Sequence, residues 1–187
     1  APVVRDAGGR TRVDGIQTWI ALPRAEEERE PSFAHHGAAS LPRVERPGVI
    51  LTVIAGTAYG KRSPVDVFSP TLYVDAQLAD GAVLEVPDEH VQRACYVAQG
   101  RIEIAGQAYG EGQFMVFASA AGPVSMRALE TARVMLAGGA PLDGPRHIEW
   151  NFVSSTRERI EVARRDWRER RFASVPGDAE RIPLPDE

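Results

Sequence analysis

Apolar and polar residues alternate through much of the chain between residues 47 and 136, which is typical of half-buried β-strands. In the segment 71–78, we expect Leu72, Val74, Ala76 and Leu78 to face inward, and the residues between them to face outward. The predicted strands are 15–22, 47–55, 71–78, 82–86, 93–98, 101–104, 113–117, 124–129 and 132–136. Because glycine-containing turn sequences separate most of them, the pattern predicts an all-β sandwich or barrel.

The pattern changes to a helical period after residue 154. Ser155 is predicted to be the N-cap, with Glu158 completing a capping box. Ile160, Ala163 and Trp167 form one apolar face at helical spacing. The opposite face carries many arginines, but acidic residues lie between them, so a solvated surface is favoured over a nucleic-acid interface.

The two ends of the chain show weaker patterns. Residues 1–14 predict no regular element and resemble an arm. From Phe172 onward, proline and acidic residues disfavour a helix, so this tail is predicted to be an extended strap anchored by Ile182 and Leu184.

Composition narrows the function classes. The net charge of −4 gives no general attraction to nucleic acid or acidic membranes. The sequence has no apolar run long enough to cross a bilayer. It has a single cysteine, which excludes an intrachain disulfide, so we expect a reducing, cytoplasmic setting.

The stretch from Gly81 to Gly100 has the spacing of the cupin metal motif without its ligands. That motif places His, His and Glu between two glycines, and here the three places fall on Pro87, Glu89 and Arg93. Proline offers no donor atom, and arginine cannot be deprotonated to bind a metal ion. One carboxylate does not make a transition-metal site.

The second cupin motif is degenerate as well. Counted from Gly112, its places fall on Ala118, Ala120 and Pro123, so the last histidine is replaced by proline. We therefore expect no metal ligand, no cofactor-binding residue and no catalytic residue in this chain. A weaker alternative is that Glu89 and Arg93 form an ion pair that fills the former metal pocket.

The remaining reactive side chains favour structural roles. His35 and His36 are interpreted as a surface pair, and His90 as a solvent-facing residue at the barrel rim. His147 is expected to hold backbone or cap the approach to the helix. Cys95 lies on a predicted strand and is interpreted as a buried, inert thiol.

Several segments together resemble the bacterial branch of the pirin family, and the resemblance covers nearly the whole chain. The segments are GIQTWIALP (15–23), VIAGTAYGKRSPV (53–65), PTLYVDAQLADGAVLEVP (70–87), YVAQGRIEIAG (96–106), WNFVSSTRERIEVARRDWRERRF (150–172) and PGDAERIPLP (176–185). The resemblance implies a cupin-type double-stranded β-helix, or jelly roll, with one C-terminal helix and an extended tail.

The same resemblance implies where the family keeps its metal. Pirins are bicupins whose single iron, or another divalent metal, is held in the N-terminal barrel by three histidines and one glutamate. The HPHRGF-like and VHSE-like motifs that supply those ligands do not occur in this sequence. The chain therefore resembles the C-terminal half with a linking strand, and no ligand can be carried over to it.

We accordingly expect an N-terminal arm and linking strand at 1–23, a metal-free cupin barrel at 24–149, and a C-terminal helix with an extended strap at 150–187. The first hypothesis is a non-catalytic structural or interaction module. The alternative is part of a quercetin 2,3-dioxygenase of the pirin type, whose iron site lies in the missing N-terminal barrel. A third, weaker idea is a barrel that binds a small ligand.

The expected partners follow from an exposed interface. A C-terminal half exposes apolar surface where its N-terminal cupin barrel would pack, and Trp19 and Ile20 are candidates for that surface. We expect binding to that barrel or self-association, together with possible protein partners, because eukaryotic pirins are linked to transcriptional regulation. We expect no membrane partner and no nucleic acid.

Overall fold

A computed structural model describes residues 3–5, 11–13, 15–119, 121–174, 177, 180 and 182–185. Within these residues the chain divides into two compact units, one formed by 23–145 and the other by 1–22 with 146–187. We call the first the barrel unit and the second the terminal unit. This division by contacts does not test the predicted domains, so their limits at residues 23 and 149 stay predictions.

The described residues form fifteen strands and one α-helix. In chain order they are β1 (Val3–Arg5), β2 (Thr11–Val13), β3 (Arg43–Arg46), β4 (Val49–Ala58), β5 (Lys61–Arg62), β6 (Thr71–Leu78), β7 (Val83–Val86), β8 (Gln92–Gln99), β9 (Arg101–Ile104), β10 (Gln107–Gly110), β11 (Phe114–Phe117), β12 (Val124–Ala128), β13 (Ala132–Gly139), β14 (His147–Glu149), β15 (Phe152–Ser154) and α1 (Arg157–Arg168). Short 3-10 helices lie at Arg24–Glu26 and Ala38–Ser40.

The barrel unit is built from two antiparallel sheets. The larger sheet has the strand order β11-β8-β13-β6-β4-β3, with β5 also paired to β4, and the smaller sheet has the order β10-β9-β12-β7. The core draws side chains from both sheets, including Leu51, Val74, Leu84, Ile102, Met126 and Leu136. Each such fully buried aliphatic side chain stabilises the fold by about 1.5–3 kcal/mol. The prediction of an all-β jelly roll is confirmed.

Most predicted strands are present with shifted ends. The strands at 71–78 and 101–104 have the predicted limits, and the four inward residues of 71–78 are all buried. Strand β4 continues into the predicted loop, and Gly56 permits this. It adopts φ +77° and lies so close to β6 that an added Cβ would be 1.8 Å from the Thr71 carbonyl oxygen. The sequence pattern did not predict β3, β5 or β10.

The N-terminal predictions are wrong in two respects. Residues 15–22, predicted as a linking strand, form no strand, and Ile16, Trp19 and Ile20 are each more than half exposed. A strand needs a paired backbone, and alternation alone supplies no partner edge. Conversely, β1 and β2 form an antiparallel hairpin inside the segment that predicted no element.

The terminal unit combines α1 with the antiparallel hairpin β14–β15, which the sequence pattern did not predict. The helix begins one residue later than predicted. Its N-cap is Thr156, whose hydroxyl accepts a hydrogen bond from the Arg159 backbone N–H at 3.3 Å, and Ser155 precedes it. Ile160 and Ala163 are buried, as the helical period indicated.

Aromatic rings hold the end of α1 in this unit. Trp167 lies 5.2 Å from Trp150 and 5.5 Å from Phe172 between ring centroids, and Phe152 joins the same cluster. The Trp167 indole N–H also donates to the Ile182 carbonyl oxygen at 2.9 Å. Of the two predicted anchors of the tail, Leu184 is buried, whereas the Ile182 side chain is 60% exposed and only its carbonyl is bound.

Among the described residues, no helix has the length and apolar content needed to cross a bilayer.

Candidate functional site

Three of the four cupin ligand places, those of Pro87, Arg93 and Pro123, are brought to one part of the barrel unit. Pro87 directly follows β7 and Pro123 directly precedes β12, and the register pairs their neighbours Val86 and Val124. Arg93 lies at the start of β8, after the loop that contains Glu89. The strand register and the contacts of Arg93 therefore bring the end of β7, the start of β8 and the start of β12 together. Ala120, from the second motif, lies outside the described residues.

Arg93 is the most unusual side chain of this group, because only 3% of it is exposed. On β8 it occupies the same face as Cys95 and Val97, which belong to the hydrophobic core. Its Nη2 donates to the backbone carbonyl oxygens of Ala121 at 2.5 Å and Gly122 at 3.3 Å. Within the described part of the chain, its Nε and Nη1 are buried and have no hydrogen-bond partner.

The arginine thus ties β8 to the connection between β11 and β12. Its cross-strand neighbour on β13 is Gly138, where an added Cβ would lie 2.0 Å from the Gln92 carbonyl oxygen. Glycine is therefore required at this position by the close approach of β13 to β8. On the other side its neighbour is Phe117 of β11.

The side chains at the ligand places do not fit a metal ion. Glu89 is exposed, Pro87 and Pro123 have no donor atoms, and Arg93 is a cation already bound to two carbonyls. Across the residues that the structure describes, no group of three or more His, Cys, Asp or Glu could hold a metal ion. We assign no metal-dependent step to this barrel.

The contacts of Arg93 do not support the alternative of a Glu89–Arg93 ion pair. The partners of the Arg93 guanidinium are backbone carbonyls, and the Glu89 side chain is directed to solvent. The loop that contains Glu89 is instead held by His90, whose Nε2 lies 2.9 Å from the Thr57 carbonyl oxygen. His90 is half-buried by this contact, so its predicted position at the rim is only partly solvent-facing.

Two acidic groups near the core are held in their neutral forms. Cys95 is completely buried, and burial raises the pKa of its thiol from 9.0 to about 12. Burial also raises the pKa of the Tyr59 phenol, whose hydroxyl donates to the Glu85 carbonyl oxygen at 2.8 Å. Both shifts favour the neutral form of the group at neutral pH. The prediction of an inert Cys95 is supported by this environment.

The other histidines lie away from the ligand places. His35 is exposed and His36 is half-buried in the connection before β3, which agrees with a surface pair. His147 begins β14 and pairs in register with Ser154. It lines a cleft of about 280 Å³ in the terminal unit, together with Arg146, Arg157, Glu149 and Glu161. The mixed charges of this cleft indicate no single class of ligand.

Sequence reasoning missed the one bidentate ion pair on the larger sheet among the described residues. Asp75 of β6 accepts from Arg133 Nε at 2.7 Å and from Nη2 at 2.9 Å, and the two residues are on adjacent strands. Alternation predicted that Asp75 faces outward, but its side chain is only 9% exposed. The available signal was the opposite charge at position 133 on a neighbouring predicted strand.

A known protein family matches the part of the chain that contains the ligand places. Residues 73–173 match the model of the pirin C-terminal cupin domain. A pirin-like protein of Caulobacter vibrioides is 47% identical over 185 residues, covering 98% of this chain and 63% of that protein. Pirin-1 of Arabidopsis thaliana is 29% identical over 166 residues, covering 82% of this chain and 56% of that protein.

A solved structure shows the same fold. The crystal structure of a quercetin 2,3-dioxygenase from Acinetobacter baumannii superposes with a TM-score of 0.79 at 27% identity, covering 89% of this chain and 56% of that chain. The present chain thus spans a little over half of the length of these relatives. From the matched cupin domain and the similarity along nearly all of its length, the chain belongs to the pirin family.

Proposed function

We propose that this chain is a pirin-like protein whose cupin barrel, similar to the C-terminal barrel of the family, acts as a non-catalytic structural and interaction module. The observation that carries the proposal is the state of Arg93, which occupies the place of the metal-ligating glutamate and is buried against two carbonyls. A cation at that position repels a metal ion instead of binding one.

The interaction role is supported by exposed apolar side chains in the terminal unit. Ile16, Trp19 and Ile20 are 52%, 52% and 53% exposed within five consecutive residues. Large apolar side chains exposed so close together in the sequence are candidates for an interaction site. The proposed partner is the N-terminal cupin barrel of the family, or a second copy of this chain in its absence.

The alternative function is a share in a metal-dependent quercetin 2,3-dioxygenase. It is favoured by the similarity to the Acinetobacter baumannii enzyme, of which this chain covers 56%. In that case the iron or other divalent metal would be held by the part of the relatives that this chain does not span. The residues of this chain would then support the other barrel without contacting the substrate.

Intact mass and metal content, measured on the protein isolated from its source, separate the two functions. A mass near 20.4 kDa without stoichiometric metal is the result expected for the module. A mass larger by one barrel, about a hundred residues, with about one metal per chain and turnover of quercetin, would establish the enzyme instead. We also propose a cytoplasmic location, supported by the single cysteine.

The partner surface has its own test. Trp19→Ser is expected to reduce self-association of the 187-residue chain, measured by sedimentation velocity across a concentration series. Phe33→Ser is the matched control, because Phe33 is 92% exposed but lies in the barrel unit. An equal effect of both substitutions, or a monomer at all concentrations, would argue against self-association through the Trp19 surface.

A further inference from the structure

Four aromatic rings of the terminal unit form one aromatic cluster, built from residues 150–172. Trp150 lies in the turn between β14 and β15, Phe152 begins β15, Trp167 lies on α1, and Phe172 follows the helix. Between ring centroids, Trp167 is 5.2 Å from Trp150 and 5.5 Å from Phe172. It is 6.4 Å from Phe152, and all three pairs meet edge to face. Since edge-to-face contact stabilises aromatic pairs, the four rings fix one another's positions.

The tail supplies the hydrogen-bond acceptor of this cluster. An indole N–H can donate a hydrogen bond but offers no acceptor. That of Trp167 donates to the Ile182 carbonyl oxygen at 2.9 Å. Two residues later Leu184 is only 3% exposed, whereas the side chains of Ile182, Pro183 and Pro185 are exposed. Within the described segment 182–185, the tail is thus held by one carbonyl and one buried leucine.

The sequence of this segment, IPLP, favours an extended backbone before any contact is made. Each proline fixes its own φ at about −65°, and a residue that precedes a proline is biased away from the helical region. Every residue of the segment is in one of these two positions. Such a backbone makes no internal hydrogen bonds, so its carbonyl oxygens are available to an outside donor. Because the prolines already restrict the free chain, binding it costs little conformational entropy.

Grooves lined by aromatic rings are a recurring means of recognising extended, proline-rich peptides. We propose that the aromatic cluster, with the place that Leu184 fills, is a binding site for an extended segment of a partner protein that carries a leucine between two prolines. The chain's own tail occupies this site and competes with the partner. This inference does not rest on the proposed function of the chain.

A separate partner is favoured over a second copy as the occupant. A free peptide with the same four residues can make the same contacts as the tail, whose tether raises its effective concentration without adding a contact. A second copy gains nothing by exchange, because its tail would have to leave an equal site of its own. A separate partner has no such site to leave. The tail is therefore expected to weaken partner binding by competition.

The test uses the 187-residue chain labelled with ¹⁵N and the peptide acetyl-Ile-Pro-Leu-Pro-amide. The chain has three tryptophans, so it gives three indole N–H signals, and Trp167→Phe identifies the Trp167 signal by its loss. Leu184→Ser removes the buried side chain of the tail and should move that signal. Addition of the peptide should return it toward its original position with saturation. The peptide should bind at least about tenfold more tightly to Leu184→Ser than to the unmodified chain.

Two controls assign the effect to the tail and to its prolines. Ile182→Ser is the matched variant, because the Ile182 side chain is 60% exposed and the substitution keeps the carbonyl that binds Trp167. Its peptide affinity should equal that of the unmodified chain. The peptide acetyl-Ile-Ala-Leu-Ala-amide keeps the leucine but loses the restricted backbone, and it should bind Leu184→Ser at least about fivefold more weakly.

Three results would overturn the proposal. The first is an absence of saturable peptide binding to Leu184→Ser, and the second is equal affinity for the two peptides. The third is a dimer of the unmodified chain that Leu184→Ser abolishes and Ile182→Ser retains, measured by sedimentation velocity. That result would assign the site to a second copy of the chain.

A further measurement on the unmodified chain covers the case in which Leu184→Ser does not fold. A peptide excess well above the millimolar effective concentration of a short tether should displace the tail. The backbone amide signal of Leu184 should then move to the position of an unstructured chain, while the Trp167 indole signal stays near its original position. If the Leu184 signal does not respond to this excess, the proposal is wrong.

Discussion

The barrel unit and the terminal unit of this pirin chain are stabilised by different kinds of contact. The barrel unit encloses a continuous aliphatic core between two antiparallel sheets, with Leu51, Val74 and Leu136 fully buried. The terminal unit has a single short helix that buries Ile160 and Ala163 and is also held by aromatic rings, a capping hydroxyl and the ion pair between Arg164 and Glu149. The stability of the barrel unit comes mainly from apolar area removed from water, whereas that of the terminal unit depends more on a few specific contacts.

The two units therefore tolerate different substitutions. In the barrel unit, loss of volume is costly because close-packed side chains cannot fully relax into a cavity. In the terminal unit, the cost is concentrated at Trp167, which joins three other rings and binds the Ile182 carbonyl. Substitutions that remove buried apolar area in the barrel unit, or a specific contact in the terminal unit, therefore test this difference.

The largest effect is expected for Leu136→Ala in the barrel unit. Leu136 is fully buried on β13, between β8 and β6, so the substitution leaves a cavity in the centre of the larger sheet. The free energy of unfolding should fall by about 3 kcal/mol, measured by urea denaturation. Val116→Ala is the control, because Val116 is 74% exposed on β11, and a similar loss there would contradict the proposed location of the core.

Trp167→Ala should have the largest effect in the terminal unit, about 2–3 kcal/mol for that unit, since it removes three ring contacts and one hydrogen bond. The near-ultraviolet circular dichroism of the aromatic cluster should weaken, and limited proteolysis should release the tail faster. Trp167→Phe keeps a ring but not the donor to Ile182. If Trp167→Phe behaves like Trp167→Ala, the hydrogen bond matters more than the ring contacts.

The two units also differ in how far the sequence predicted them. In the barrel unit, alternation at Leu72, Val74, Ala76 and Leu78 identifies both a strand and its buried face, because burial on one face is what selects a period of two. Strands β14 and β15 have three residues each, too few for a period to appear. Conversely, 15–22 alternates without a partner strand in the described chain, so alternation misled the prediction there.

For the candidate site, the sequence predicted the ligand places but not the contacts of Arg93. The assignment of Pro87, Glu89 and Arg93 to those places, from the spacing of Gly81 and Gly100, stays a prediction. The direction of the Arg93 side chain depends on the Ala121 and Gly122 carbonyls, which lie 28 and 29 residues further along the chain. Contacts at that separation follow from how the sheets close, and no local pattern in the sequence encodes them.

A moderate effect is expected where the barrel unit uses an ion pair. Arg133→Met leaves the Asp75 carboxylate without its bidentate partner, but the Arg133 side chain is 49% exposed, so solvent reduces the loss to about 1 kcal/mol. The double substitution Asp75→Asn with Arg133→Met should recover part of that loss in a double-mutant cycle.

A smaller effect is expected at the helix cap of the terminal unit. Thr156→Ala should cost about 1 kcal/mol, because the Arg159 N–H loses its acceptor at the positive end of α1. Thr156→Ser keeps the hydroxyl and should be nearly neutral. Chemical denaturation followed by far-ultraviolet circular dichroism compares the two, and equal losses would show that the threonine methyl group, not the cap, is responsible.

The ionisation of Cys95 does not change the free energy of unfolding at neutral pH and lowers it only in alkali. The folded pKa of this thiol is about 12 and the unfolded value is 9.0, so the unfolded chain releases its proton first as the pH rises. The contribution of the neutral thiol to stability is complete below pH 9 and is lost progressively between pH 9 and 12.

Because Cys95 is the sole cysteine, its alkylation by iodoacetamide reports opening of the barrel unit alone. Labelling at pH 8 should therefore be much slower than for the unfolded chain and should accelerate in Leu136→Ala but not in Thr156→Ala, whereas rapid labelling of the unmodified chain would show that the core around Cys95 is open.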